Sequence, residues 1–195
     1  MKYRTILLFG APGAGKGTQG KILGSIPNFF HCACGDVFRS ISPANRLGKI
    51  FIEYTSRGEL VPDKPTGELW RRFIKDSVRA GRFHPKVDTL VLDGIPRTLH
   101  QAEMLRDTLD VRAVFYLHCR DFNRMVDRLQ KRALKENRLD DANLDVIKHR
   151  FKVYEQETKP ILNFYDKKLV HRIDSTQSPV KVLSDILRYT HKAIS

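Results

Sequence analysis

Residues 9–20 of this chain read FGAPGAGKGTQG, five glycines and one lysine in twelve positions, directly behind the apolar run Tyr3 to Phe9. Glycine loses more freedom on ordering than any other residue, so such a cluster marks a backbone that bends sharply or is closely approached. The apolar run before it reads as a buried strand, and Lys16 to Leu23 after it as a helix. Gly10 to Thr18 fits the phosphate-loop pattern G-x-x-x-x-G-K, with Gly17 between Lys16 and Thr18 where Ser or Thr more often follows directly. Consecutive amides must turn inward to wrap a phosphate, and the following helix presents its positive N-terminus to the same anion. Lys16 then reaches the transferring end. A nucleoside triphosphate is implied, but GTPase, ATPase and kinase all stay open at this point.

With 195 residues, 41% of them hydrophobic, the chain is long enough to bury one full core as a single domain. No apolar stretch approaches the roughly 20 residues of a membrane span, and the N-terminus enters a strand without a signal-peptide layout. A cytoplasmic protein with no membrane partner is expected. Cys32, Cys34 and Cys119 are an odd set with no CxxC pair or metal-ligand spacing, so reduced thiols and no zinc are expected. Cys32 and Cys34 would share one face of a strand through FFHCAC. The net charge of +13 could suit nucleic acid, yet Lys and Arg are spread along the chain with no basic tail and no aromatic-basic repeat. A small polyanionic substrate is the simpler partner.

Short runs rich in β-branched and aromatic residues alternate with stretches of helical period. Strands are expected at Tyr3 to Phe9, Phe29 to Ala33, Val87 to Leu92, Ala113 to Leu117 and Leu169 to Ile173. Helices are expected at Lys16 to Leu23, Asp36 to Ile41, Asn45 to Ser56, Lys64 to Ala80, Thr98 to Asp107, Asp121 to Lys131, Asn143 to Lys167 and Pro179 to His191. In the longest, Leu144, Ile147, Phe151, Tyr154, Ile161 and Tyr165 form one stripe, and Pro160 should bend it. Such alternation argues for an α/β fold with a five-stranded parallel sheet covered on both faces. Residues 39–66 and 132–141 break the pattern and read as insertions over the strand ends.

Several charged residues suggest two anions meeting. Asp93 ends a buried strand beside the phosphate loop, a place for Mg2+ held through water. Arg39 follows a helix start and Arg97 a Gly-Ile-Pro turn, each setting a planar, permanently charged fork near a strand end. Arg128 and Arg132 stand at i and i+4 on one helix face, followed by Arg138 before paired aspartates and by Arg150. A triphosphate and a monophosphate together carry roughly six negative charges, and phosphoryl transfer runs on positioning and electrostatic stabilisation. Lys16, Arg39, Arg97, Arg132, Arg138 and Arg150 supply the matching cations. An acceptor phosphate is already ionised near neutral pH and attacks without a general base, so the seven histidines are left to surface or packing roles.

Together with the phosphate loop, the segments GDVFRS at 35–40, GELVPD at 58–63, LDGIPRTLHQAE at 92–103 and RLQKRALKENRLDD at 128–141 resemble the adenylate kinase family of nucleoside monophosphate kinases, in its order and spacing. The resemblance implies a three-layer phosphate-loop kinase fold, with a monophosphate-binding insertion at about 39–66 and a short lid at about 132–141 on a core of 1–38, 67–131 and 142–195. It implies ATP with Mg2+ as donor, AMP as acceptor, two ADP as product, and a monomer. Gly13, Ala14, Gly15, Lys16, Gly17 and Thr18 would hold the donor phosphates, with Arg128 stacked on the donor base. Arg39 and Arg97 would clamp the acceptor phosphate, and Arg132, Arg138 and Arg150 would gather round the transferring group. Cys34, Glu59, Leu60, Val61, Gly94 and Gln101 would line the acceptor pocket, Gln101 bonding to adenine. The lid is too short for the cysteine-bound zinc of some long-lid relatives.

The chain departs from that pattern in places. Cys34 stands where members acting on AMP usually carry Thr, Val37 and Phe38 where longer aliphatics are common, and one extra residue separates Asp141 from Arg150. UMP/CMP kinases of the same fold usually have Asn after the Pro-Arg pair, whereas Thr98 here favours AMP. A basic phosphate-loop protein of nucleic-acid or regulatory function is the alternative of a different class; it would need neither Gln101 nor the paired lid arginines.

Overall fold

The computed structural model describes residues 2–194. Among them five strands form one parallel sheet in the order β2-β3-β1-β4-β5: β1 (Tyr3–Gly10), β2 (Phe29–Ala33), β3 (Thr89–Asp93), β4 (Leu109–His118) and β5 (Val170–Asp174). Covering them are α1 (Lys16–Leu23), α2 (Cys34–Arg39), α3 (Arg46–Ser56), α4 (Asp63–Arg79), α5 (Leu99–Leu105), α6 (Phe122–Glu136), α7 (Leu144–Val153) and α8 (Pro179–Ile194). The central strands are apolar and buried over Ile6–Phe9 of β1 and Leu90–Leu92 of β3 because both faces of the sheet are covered there. Alternation sends Leu7, Phe9, Leu90, Leu92 and Val114 into one core with Trp70, Ile74 and Phe83, and Ile6, Leu8, Val91, Phe115 and Leu117 into another with Leu23, Val182 and Ile186.

The expected strands and helices are present, and their differences have identifiable causes. β4 begins four residues early, because Tyr3, Arg4 and Thr5 of β1 give Leu109, Asp110 and Val111 partners before the register shifts at Ile6. β2 stops at Ala33, so Cys34 opens α2 instead of continuing a strand face; both thiols are nonetheless buried in the same core. α6 runs five residues past its expected end, through the start of the segment read as a lid. It closes at Asn137, left-handed at φ 50°, a conformation in which Asn is several-fold enriched.

The expected helix from Asn143 to Lys167 is broken earlier than Pro160 alone would require. α7 ends at Val153, a wide π turn occupies Tyr154–Thr158, and a 3-10 stretch runs through Lys159–Phe164. Pro160 has no N–H and would crowd a carbonyl four residues back; the wide turn instead lets the Lys159 amide donate to the Tyr154 carbonyl. The stripe holds in part, with Ile147, Tyr154 and Ile161 buried and Leu144 exposed.

The loops after β1, β2 and β3 all leave the same end of the sheet. That is the crevice at the carboxyl ends of parallel strands where α/β folds bind ligands.

Candidate active site

A cavity of about 540 Å³ opens at this end of the sheet, lined by the phosphate loop, the start of α2, the 58–61 turn, the loop after β3 and the arginines of α6 and α7. β1 delivers the chain to Gly10, and Gly13 and Gly15 turn it into α1 with φ of 79° and 95°. At Gly13 glycine is required twice over. Its φ is left-handed, and a Cβ there would lie 2.7 Å from the Met125 carbonyl oxygen of α6. Arg128 Nη1 donates to the Gly13 carbonyl at 3.3 Å and Nη2 to the Ser175 carbonyl at 3.0 Å, tying the loop to α6 and to the turn after β5.

Lys16 Nζ donates to the carbonyls of Gly10 (2.7 Å) and Ala11 (3.1 Å). Burial lowers its pKa from 10.5 to about 8; Asp93 acts in the opposite sense, while Arg97, Arg132 and Arg150 lower it further. Three arginines from separate segments therefore lie within electrostatic reach of one lysine. Asp93 ends β3 opposite Leu8 of β1, and its Oδ2 comes within 3.7 Å of a Cβ placed on Gly17. Among the described residues its carboxylate has no hydrogen bond or ion pair, so its oxygens are available to a cation held through water.

Arg97 is the most thoroughly anchored of the arginines. Its amide donates to Gln101 Oε1 (2.8 Å), its carbonyl accepts from Thr158 Oγ1 (2.9 Å), and its Nε donates to the Gly94 carbonyl (2.9 Å). Gly94, at φ 80°, would bring a Cβ within 2.9 Å of the guanidinium. Burial lowers the Arg97 pKa, and Arg150 and Arg39 add to the effect. The Gln101 amide donates in turn to Thr98 Oγ1, so Thr98 caps the N-terminus of α5.

The remaining arginines are matched by carboxylates. Arg39 Nη2 meets Asp36 Oδ1 at 2.6 Å, and Arg39 also lies over the Phe51 ring at 5.8 Å. Arg138 reaches the same Asp36 oxygen at 3.0 Å and Glu136 at 2.7 Å, linking the segment after α6 to α2. Arg132 grips Asp141 through two hydrogen bonds of 2.6 and 3.0 Å. Arg150 Nη1 bonds to Asp141 and to Asp140 Oδ2, the latter at 2.9 Å. Asp141 is fully buried; burial would raise its pKa, yet the hydrogen bonds and charges of Arg132 and Arg150 hold it below the usual carboxylate range. The extra residue before Arg150 therefore does not turn this side chain away.

Cys34 is buried in the cavity wall, and burial pushes its thiol up to about 11, so it stays protonated at neutral pH. Leu60, Val61 and Glu59 also line the cavity, Glu59 taking a 2.9 Å bond from Arg57. All the site residues expected from the sequence line one cavity. The carboxylates Asp36 and Asp141, and Thr158 behind Arg97, were not singled out. Asp36 carried a faint signal, three residues before Arg39 on a short helix; Thr158 carried none, being 61 residues from its partner. Among the described residues no cluster of three or more His, Cys, Asp or Glu side chains is poised for a metal, and no helix is long and apolar enough to cross a membrane.

A phosphate loop at the carboxyl end of the central strand of a parallel sheet, faced by cations from four distant segments, defines a nucleotide-binding phosphotransferase of the phosphate-loop class. The family model described as adenylate kinase matches residues 8–170. The chain is 40% identical over 178 residues to an adenylate kinase of Thermobifida fusca, covering 87% of this chain and 89% of that protein. It is 34% identical over 192 residues to one of Flavobacterium psychrophilum (93% and 97%) and 32% identical over 190 residues to one of Mycobacteroides abscessus (97% and 98%). The chain belongs to the adenylate kinase family, and is a transferase of the nucleoside monophosphate kinase kind.

Proposed function

We propose that the protein moves the γ-phosphoryl group of ATP to AMP, reversibly, giving two ADP. The observation that carries this reading is the convergence of Lys16, Arg39, Arg97, Arg132, Arg138 and Arg150 on one cavity whose other wall is the phosphate loop. Gly13 to Thr18 hold the donor phosphates by their amides, and Arg128 of α6, bonded to the phosphate loop and to the turn after β5, flanks the donor base. Arg39 and Arg97 take the acceptor phosphate. Its ionised oxygen attacks the γ-phosphorus as the bond to the bridging oxygen of ADP breaks, so no side chain moves a proton. Arg132, Arg138 and Arg150 meet the charge spread over the transferring oxygens, exchanging carboxylate partners for phosphate oxygens.

Mg2+ arriving with ATP would neutralise part of the phosphate charge, and Asp93 would hold it through water. Gln101, Gly94, Cys34, Glu59, Leu60 and Val61 form the acceptor base pocket. Residues 39–66 and 132–141 close over the substrates and exclude water, which an open site would let the γ-phosphoryl group reach. A cytoplasmic monomer acting on small nucleotides, with no nucleic-acid or membrane partner, is the form this reading takes.

The test is a coupled assay with ATP and Mg2+ across AMP, dAMP, CMP, UMP and GMP. AMP is expected to be the fastest acceptor. Transfer to none of them overturns the reading, and CMP or UMP in first place makes the protein a pyrimidine monophosphate kinase.

A further inference from the structure

Behind the acceptor pocket, Asp63 at the first turn of α4 takes two hydrogen bonds on a single oxygen. Gln101 Nε2 donates to its Oδ1 at 2.7 Å and Thr98 Oγ1 to the same atom at 3.0 Å. Gln101 is buried and lines the cavity, and its other amide atom, Oε1, accepts from the Arg97 amide. A glutamine side chain is nearly symmetric in shape and opposite in chemistry at its two ends, so which end faces which way is set only by its partners.

Here both partners favour the same orientation. An ionised carboxylate only accepts, which forces the NH2 group toward Asp63, and a backbone N–H only donates, which forces the carbonyl toward Arg97. Turning the amide over would oppose acceptor to acceptor at Asp63 and donor to donor at Arg97. The amide is left with one lone pair on Oε1 and one N–H on Nε2, in a fixed left-to-right order.

We infer that Asp63 is a specificity-determining positioning residue: by fixing the Gln101 amide it makes the pocket accept a 6-aminopurine monophosphate and reject a 6-oxopurine. This rests on the acceptor reading given above and names the source of its base preference. A 6-aminopurine offers a donor at its exocyclic nitrogen and an acceptor at N1, complementary to the free lone pair and free N–H. A 6-oxopurine offers the reverse, an acceptor oxygen and a donor N1–H, and in the same pose meets like against like. A site whose polar groups are ordered in this way discriminates strongly, because the wrong ligand leaves buried groups unpaired.

The test compares kcat/KM for AMP and for IMP, which differ in this edge alone, in the full-length protein with ATP and Mg2+. In Asp63→Ala the AMP/IMP preference should fall about tenfold or more, mainly through a raised KM for AMP, with kcat at saturating AMP changed less than about threefold. Asp63→Asn, whose carbonyl oxygen still accepts both donors, should keep the wild-type preference within about threefold. Thr98→Val removes the α5 cap and one Asp63 bond while leaving the bond from Gln101; it should lower thermal stability and keep the preference. An unchanged ratio in Asp63→Ala, or an equal loss of preference in Thr98→Val, would overturn the inference while leaving adenylate kinase activity standing. A wild-type enzyme that phosphorylates IMP as well as AMP would overturn the acceptor assignment, and this inference with it.

Discussion

The two ends of the cavity are built from different material. The phosphate-loop end is main chain, a few consecutive residues whose amides and glycine turns make the site and whose lysine is tied to carbonyls of the same loop. The arginine end is side chain, assembled from distant segments and held by ion pairs such as Arg138 with Asp36, 102 positions apart. A main-chain cradle is rigid because its geometry is its fold. A side-chain cluster is exchangeable, since a guanidinium held by a carboxylate can be held as well by a phosphate. The same contrast divides the six cations. Arg39, Arg132, Arg138 and Arg150 are paired with carboxylates, whereas Lys16 and Arg97 are half-buried and hold only backbone oxygens.

That contrast breaks most visibly at the two cations without carboxylates. Lys16→Ala and Arg97→Ala should each lower turnover by about a hundredfold or more, since each removes charge aimed at the transition state. Neither removes an ion pair, so the fold read by circular dichroism should be unchanged. Near-normal activity in Arg97→Ala would remove it from the machinery.

The paired arginines should behave in the opposite sense, through their carboxylates. Asp141→Ala leaves Arg132 and Arg150 without their buried counter-charge and should destabilise the protein by about 3 kcal/mol in urea titration. Asp36→Ala, at a carboxylate whose side chain is 41% exposed, should lose no more than about 1 kcal/mol. Equal losses would mean that the two pairs are not distinguished by burial.

Alkali sharpens the contrast further. With its pKa near 8, Lys16 is a cation below that pH and increasingly neutral above it. The KM for ATP should therefore rise as pH increases through 8, while the KM for AMP, which meets arginines, stays level. Stability runs the other way. Between pH 8 and 10.5 the unfolded chain holds the Lys16 proton that the folded protein has released, so this lysine's unfavourable contribution shrinks as pH rises. The stability gap between wild type and Lys16→Met should close over that range.

The smallest effect belongs to His31, packed against α1 so closely that a Cβ on Gly20 would lie 2.2 Å from its Nε2, an atom with no hydrogen-bond partner among the described residues. Burial lowers its pKa, with Asp93 and Asp36 opposing. Below about pH 6.5 the unfolded chain takes up a proton that the folded one resists, so stability falls with acid. His31→Leu should show a flatter acid limb in pH-dependent denaturation.

The same division explains what could be read without coordinates. The phosphate loop was legible in full, because its chemistry and its sequence are contiguous. Strand alternation was legible because both faces of the sheet are buried. The arginines could be found from family motifs, but not their partners. Nothing near Asp141 in the sequence indicates that it is buried between Arg132 and Arg150, and nothing near Asp63 that it orients Gln101. Those pairings are products of packing. The early start of β4 was hidden for the same reason, as it depends on β1 far along the chain, whereas the break at Tyr154 is a local accommodation of Pro160.

The wide turn at Tyr154–Thr158 behaves like a vernier. Arg150 aims at Asp141 from the regular helix α7, and Thr158 at the Arg97 carbonyl from the end of the wide turn. Loosening a single turn sets the angular phase of the second segment independently of the first. A one-residue deletion there would shorten the rod by only about 1.5 Å but swing the downstream segment by about 100°. The cradle of Arg97 is thus tuned by rotation rather than by distance.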